Sequence, residues 1–223
     1  MMTVSTKEVR ENLLRALSKL GELEGDREKL LLLCREIIRL SRAIVAGVHS
    51  GKDVSAEVSK LRDTVATLRA YAQSRPELYF SGTVTSALTE YVEATSLYTL
   101  MLERRLPSLD EVGVEPAPYL LGIADLVGEL RRSILEHIRA GSFDQAESLF
   151  EIMEALYDTL RQVSLPDALA PGLRRKTDIA RALVENTRRD VIFFRRAAEL
   201  EKALRLQSAV PREEGTGCSG DNS

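Results

Sequence analysis

Four carboxylates in two short stretches have the residue types and the spacing of a metal-assisted site. Glu90 and Glu93 lie in Leu88-Thr-Glu-Tyr-Val-Glu-Ala94, and Asp125 and Glu129 in Tyr119-Leu-Leu-Gly-Ile-Ala-Asp-Leu-Val-Gly-Glu-Leu130. The pairs are spaced i, i+3 and i, i+4, so on helices each pair shares one face. Two such helices packed together bring four oxygen donors to one place, which is how a helical protein builds a site for a hard cation. A ferritin-like di-iron centre is excluded, because it needs Glu-x-x-His on its helices and the two histidines, His49 and His137, are not so placed.

The two pairs differ in their surroundings. On a helical wheel Glu90 and Glu93 stand about 60° apart and share their face with Leu97, Leu100 and Met101, with Arg104 beyond. Acids inside an apolar stripe need a compensating charge, because burying an unpaired carboxylate costs several kcal/mol. In the second stretch Leu120, Ile123, Val127, Leu130 and Ile134 form the core stripe, and Asp125, Glu129, Arg132 and Glu136 lie opposite it. By pattern alone the simpler reading is that Glu90 and Glu93 pair with arginines while Asp125 and Glu129 are solvated. Gly122 and Gly128 border the polar face, where a missing side chain permits close approach.

The elements that must position these groups are helical. The first pattern covers about 6–23, with Val9, Leu13, Leu14, Leu17 and Leu20 as its stripe, and Gly21 and Gly25 loosen its end. Asp26 is placed to cap a second helix, about 27–47, with Leu30, Leu33, Ile37, Leu40, Ile44 and Val48 in register. Residues 48–53, including His49, read as a loop. A third helix spans about 54–74, and Pro76 separates it from a fourth, about 77–105, which carries the first acid pair. Ser108-Leu-Asp-Glu111 is a capping box for a short turn. The helix with the second acid pair spans about 117–140 and stops at Gly141. Another capping box, Ser142-Phe-Asp-Gln145, opens a helix to about Val163. Pro166 and Pro171 break the chain before a last helix over about 173–207. The expectation is an all-α bundle of about seven long helices and one short one, forming a single domain over 1–207. The Gly-, Ser- and Glu-rich segment 208–223 is expected to be disordered.

Composition agrees. Aromatics are 5% of 223 residues and hydrophobics 44%, enough for a core without strand-type patterning. No run of apolar residues is long enough to span a membrane and the N-terminus lacks an apolar signal core, so a cytoplasmic protein is expected. Two isolated cysteines exclude a disulfide framework and a zinc site, and Cys34 reads as core filling. Helices that are apolar around much of their circumference point to a homo-oligomer. The net charge of -3 argues against an overall basic coat, but a local patch or the inside of an assembly can still be basic.

The motifs themselves resemble a known family. Glu90-Tyr-Val-Glu-Ala94 and the Tyr119–Leu130 stretch are similar to segments of the translin/Trax family, on its Trax branch. The similarity continues through Ala140-Gly-Ser-Phe143, Leu173-Arg-Arg-Lys-Thr-Asp178 and Val184-Glu185, over roughly residues 25–200. The resemblance implies an all-helical subunit of an octameric shell that encloses nucleic acid. It further implies an endoribonuclease dependent on Mg²⁺ or Mn²⁺, with Glu90, Glu93, Asp125 and Glu129 as catalytic and metal-binding residues. The short links between helices suit a compact prokaryotic or archaeal form, and whether a separate translin-like partner chain exists stays open.

Within that reading Glu93 and Asp125 are the first choices for direct ligands, while Glu90 and Glu129 ligate or activate water. RNA, or single-stranded DNA, would be held by Arg104, Arg105, Arg131, Arg132, Arg174, Arg175 and Lys176, and by Arg188 and Arg189 as a further candidate pair. Arg104 and Arg132 stand out because they continue the acid-bearing faces. His49 and His137 read as surface or interface residues, and Tyr91 and Tyr98 as packing residues rather than base-stacking ones. The alternative is a shell that binds single-stranded RNA or DNA without cleaving it.

Overall fold

In the computed structural model, residues 5–73 and 76–208 are described. In chain order the helices are α1 (Thr6–His49), α2 (Ser55–Gln73), α3 (Pro76–Tyr79), α4 (Gly82–Glu103), α5 (Leu109–Val112), α6 (Pro116–Arg139), α7 (Phe143–Leu160) and α8 (Leu173–Ser208). A 3-10 turn, Asp167–Leu169, sits before α8. No strand occurs among the described residues, and none of their helices is long and apolar enough to cross a membrane.

Helix α4 is the centre of the bundle. It packs against α1 on one side and α6 on the other, and α6 in turn carries α7 and α8. Its sequence explains the position. Val84, Ala87, Leu88, Tyr91, Val92, Ala94, Leu97 and Leu100 point around most of the circumference, and all are buried. A helix apolar all round has to be covered on all sides. Thr89 and Thr99 are buried with it and satisfy their hydroxyls on the carbonyls of Thr85 and Thr95, at 2.9 and 2.7 Å. Glu90 and Glu93 interrupt this buried surface without being fully covered. On α6 the stripe Ile123, Val127, Leu130 and Ile134 is buried as its spacing requires.

Several boundaries differ from the sequence reading. The two helices expected over 6–23 and 27–47 are one continuous helix, α1. Gly21 and Gly25 weaken a helix by about 1 kcal/mol each but do not stop it unless the chain turns left-handed there, and neither has positive φ. Asp26 is therefore no N-cap; its carboxylate accepts a hydrogen bond from the Tyr71 hydroxyl and faces Lys29 at 3.7 Å. The helix also runs through Gly47, where an added Cβ would lie 2.2 Å from Val54 Cγ1. His49 is thus the last residue of α1, not part of a loop. The chain turns only at Gly51, with φ 67°.

The helix expected over 77–105 is divided by Phe80 and Ser81 into α3 and α4, and α4 closes at Arg104 in the left-handed conformation, φ 59°. Helix α7 stops at Leu160, short of the expected Val163. The capping box at Ser108 forms, its hydroxyl accepting from the Glu111 N–H at 3.2 Å. The one expected at Ser142 makes no side-chain cap. Cys34 is core filling, as its 1% exposure shows, and burial pushes its thiol up to about 11. The segment expected to be disordered lies, from 209 onward, outside the described residues, as does Cys218.

Candidate carboxylate site

The meeting of the two acid-bearing helices depends on Gly122. A Cβ there would stand 2.6 Å from Val92 Cβ and 2.7 Å from the Thr89 carbonyl oxygen. Only a bare glycine lets α6 come this close to α4. Thr89 and Val92 flank Glu90 and Glu93, and Asp125 lies one turn beyond Gly122, so the contact sets the two acid faces side by side. Gly128 has no such neighbour; its nearest would be Leu183 Cδ1 at 3.9 Å.

Glu93 sits at the electrostatic centre. Its carboxyl group is pushed up to about 8, first by burial and then by the negative charges of Asp125, Glu90 and Glu129, with Lys176 opposing. Glu90 on the same helix and Asp125 and Glu129 from across the α4–α6 contact therefore all act on Glu93, although the second pair looked solvated on the helical wheel. Three of them face a basic side chain supplied by another helix. Asp125 pairs with the Lys176 ammonium of α8. Glu129 Oε2 lies 2.6 Å from Nε2 of His49, whose side chain is 2% exposed at the end of α1. Glu90 stands 4.0 Å from Arg42 Nε, also on α1. His49 reaches a further acid through its other nitrogen, 3.4 Å from Glu136 Oε2, and Arg132 faces Glu136 at 3.4 Å. Hydrogen bonding by His49 is the main reason that the Glu129 carboxyl lies below the usual carboxylate range.

The donor set suits a hard divalent cation. Its acids are all oxygen donors, and the negative charges of Asp125, Glu90 and Glu129, which with burial raise the Glu93 carboxyl, are what a bound cation would offset. The arrangement is not a ready-made cage, however. Among the described residues no group of three or more His, Cys, Asp or Glu side chains is gathered as metal ligands, and Asp125 and Glu129 are paired with Lys176 and His49.

The translin family model matches residues 25–187, a stretch that contains both acid pairs, His49 and Lys176. The chain belongs to the translin family. A protein of Methanocaldococcus jannaschii with no assigned function is 31% identical over 87% of this chain and 88% of its own length. The translin-associated protein X homolog of Schizosaccharomyces pombe is 23% identical over 87% of this chain and 93% of its own. The structure of AfC3PO in complex with duplex RNA is similar with a TM-score of 0.78 and 34% identity, over 83% of this chain and 97% of that one. The protein is thus a Trax-like member of the translin family.

The basic residues of this translin-family chain sort into three groups. Lys176, expected at a phosphate, is held instead by Asp125 inside the acid site. Arg105 and Arg131 are engaged elsewhere. Arg105 grips Glu111 at 2.7 Å through two nitrogens and also binds Glu103, away from the acids, and Arg131 ties α6 to Thr187 and Asp190 of α8. Arg188 is likewise bound to Glu154. Arg104, Arg174, Arg175 and Arg189 are exposed. Tyr91 is buried and its hydroxyl reaches the Val112 carbonyl at 3.4 Å; Tyr98 packs against the core.

Sequence reasoning missed Arg42 and His49 as members of the site. Their signal was spacing: at i and i+7 they share one side of a helix, provided that the helix continues through Gly47. Ending the helix at that glycine hid the relation.

Proposed function

We propose that the protein is a metal-dependent endoribonuclease that cleaves RNA inside a translin-type oligomeric shell. The observation that carries the reading is the convergence of Glu90, Asp125 and Glu129 on a half-buried Glu93 across the close α4–α6 approach at Gly122. These four residues would hold Mg²⁺ or Mn²⁺, with Glu93 and Asp125 as first choices for direct ligands. When bound, such an ion polarises a phosphate and lowers the pKa of a coordinated water.

The chain's own groups prepare the site. His49 fixes the orientation of Glu129 from a buried position, and Glu136 on its second nitrogen fixes the ring. Lys176 holds Asp125 and would offer an ammonium to a phosphate bound beside the acids. Burial around Glu93 restricts water and strengthens every charge interaction there. Arg174 and Arg175, exposed in the first turn of α8 just before Lys176, are placed to bind flanking phosphates. The relationship to AfC3PO, whose structure was solved with duplex RNA, supports RNA as the substrate class.

A second reading rests on a specific observation. Asp125 and Glu129 already have protein partners, Lys176 and His49, which occupy their carboxylates without metal. On that reading the protein is an oligomer that binds RNA or single-stranded DNA and does not cut it. The two separate in one assay: short single-stranded RNA with Mn²⁺, with and without chelator, for the wild type, Glu93→Gln and Asp125→Asn. Chelator-sensitive cleavage by the wild type, lost in both variants while assembly mass is kept, supports the enzyme. Binding without cleavage in all samples supports the second reading. Full cleavage by both folded variants removes the carboxylate mechanism.

A further inference from the structure

Gly128 has no packing reason to be glycine. A Cβ there would meet only Leu183 Cδ1, at 3.9 Å, among the described residues. Inside a helix a glycine costs stability relative to alanine. What its missing side chain leaves is space. An open groove of about 460 Å³ runs along the second half of α6, lined by Gly128, Arg131, Arg132, Leu135, Glu136 and Arg139.

The groove starts at the acids. Asp125, Arg132 and Arg139 stand at i, i+7 and i+14, so each step drifts by only about 20° and the three form one row along α6. Gly128 borders that row between its first two members. From Asp125 to Arg139 the row rises about 21 Å. Its two guanidinium groups are open to a ligand. Arg139 is exposed and makes no hydrogen bond or ion pair among the described residues. Arg132 is 54% exposed and faces Glu136 at 3.4 Å, one turn along. An exposed pair of this spacing is weak, and a phosphate can draw the guanidinium away from it. Glu136 then keeps its contact with His49. Arg131 differs, because it is tied to Thr187 and Asp190 of α8 and forms a fixed wall.

We infer that this groove carries the phosphate backbone of a single RNA strand away from the acid site, with Arg132 and Arg139 on separate phosphates. The inference rests on the proposed function, since it takes the acids as the place where the strand is cut. Guanidinium forks match phosphate oxygens, and the floor of Gly128 and Leu135 offers no side-chain donor or acceptor to a base. The groove therefore positions the strand without selecting its sequence.

The test is binding of a short fluorescent single-stranded RNA to the full-length oligomer across a salt series, in chelator so that metal-dependent cleavage is stopped. Arg132→Gln and Arg139→Gln should each weaken binding several-fold and lower the slope of log affinity against log salt by about 0.7, the value for one phosphate contact on a single strand. Gly128→Leu should fill the groove and weaken binding at least five-fold, with the melting temperature kept or raised because leucine favours the helix. Arg161→Gln, an exposed arginine paired with Asp158 at the end of α7, should leave binding unchanged. Assembly mass should be that of the wild type throughout. Unchanged binding by Arg139→Gln or Gly128→Leu, or an equal loss in Arg161→Gln, would overturn the groove and leave the acid site untouched. A changed assembly mass would make the groove a subunit contact and overturn it as well. Cleavage that survives Glu93→Gln removes the carboxylate mechanism without moving these binding readouts, whereas a wild type that binds no RNA removes both.

Discussion

The imidazole of His49 and the carboxylate of Glu129, 80 residues apart in the chain, meet at 2.6 Å in a partly buried contact between the end of α1 and the middle of α6. The histidine is fixed from both sides, by Glu129 on one nitrogen and Glu136 on the other. This contact makes α1 part of the acid site.

His49→Ala should destabilise the fold by about 1–3 kcal/mol, the usual cost of orphaning buried polar groups. The effect depends on pH with a definite sign. Hydrogen bonding by His49 lowers the Glu129 carboxyl below its ordinary value of 4.5. Its contribution is therefore present above that value and fades as pH falls through the lowered one. Urea melts of wild type and variant should be well separated at neutral pH and should converge in acid. A constant gap down to pH 3 would show that Glu129 is not the partner that matters.

Glu93→Gln should stabilise the protein while removing its activity. The Glu93 carboxyl is raised from 4.5 to about 8 in the folded state. The wild type therefore loses stability as pH rises between those values, and the neutral amide does not. Thermal melts should show the variant gaining on the wild type from about pH 5 upward, by several degrees at pH 9. Mn²⁺ should raise the melting temperature of the wild type at pH 8 and leave that of the variant nearly unchanged. A melt of the wild type indifferent to Mn²⁺ would count against a metal site.

Gly122→Ala should cost about 1–3 kcal/mol through overpacking. Its Cβ would press on the Thr89 carbonyl, which is backbone and cannot swing aside. RNA cleavage should fall with it, although no acid is altered. Gly128→Ala is the matched control. It meets only Leu183 at 3.9 Å and should gain up to about 1 kcal/mol of helix propensity. Chemical denaturation of the two proteins side by side checks both signs.

Arg175→Ala should weaken RNA binding and reduce the slope of log affinity against log salt by about 1. Arg105→Ala should leave both unchanged, because its guanidinium is already committed to Glu103 and Glu111. Filter binding across a salt series distinguishes an available cation from an occupied one.

Local pattern carried much of the fold. Ile123, Val127, Leu130 and Ile134 are buried because a helix repeats every three to four residues, and that period is visible in the chain itself. The capping box at Ser108 was legible for the same reason, since its partners lie within one turn. Helix ends were less so. Gly21, Gly25 and Gly47 look like stops, but a glycine ends a helix only when the chain turns there, and packing decides that.

The acids divide along the same line. By themselves the residues determined that Glu90 and Glu93 share a face, that Asp125 and Glu129 share another, and that the first pair interrupts an apolar surface. A polar face looks alike whether it meets water or a neighbouring helix, so Asp125 and Glu129 could be placed only by the crossing of α4 and α6 at Gly122. The same holds for His49 and Lys176. Which cation meets which carboxylate depends on the crossing and register of four helices, and those are settled by side-chain packing over long separations in the chain.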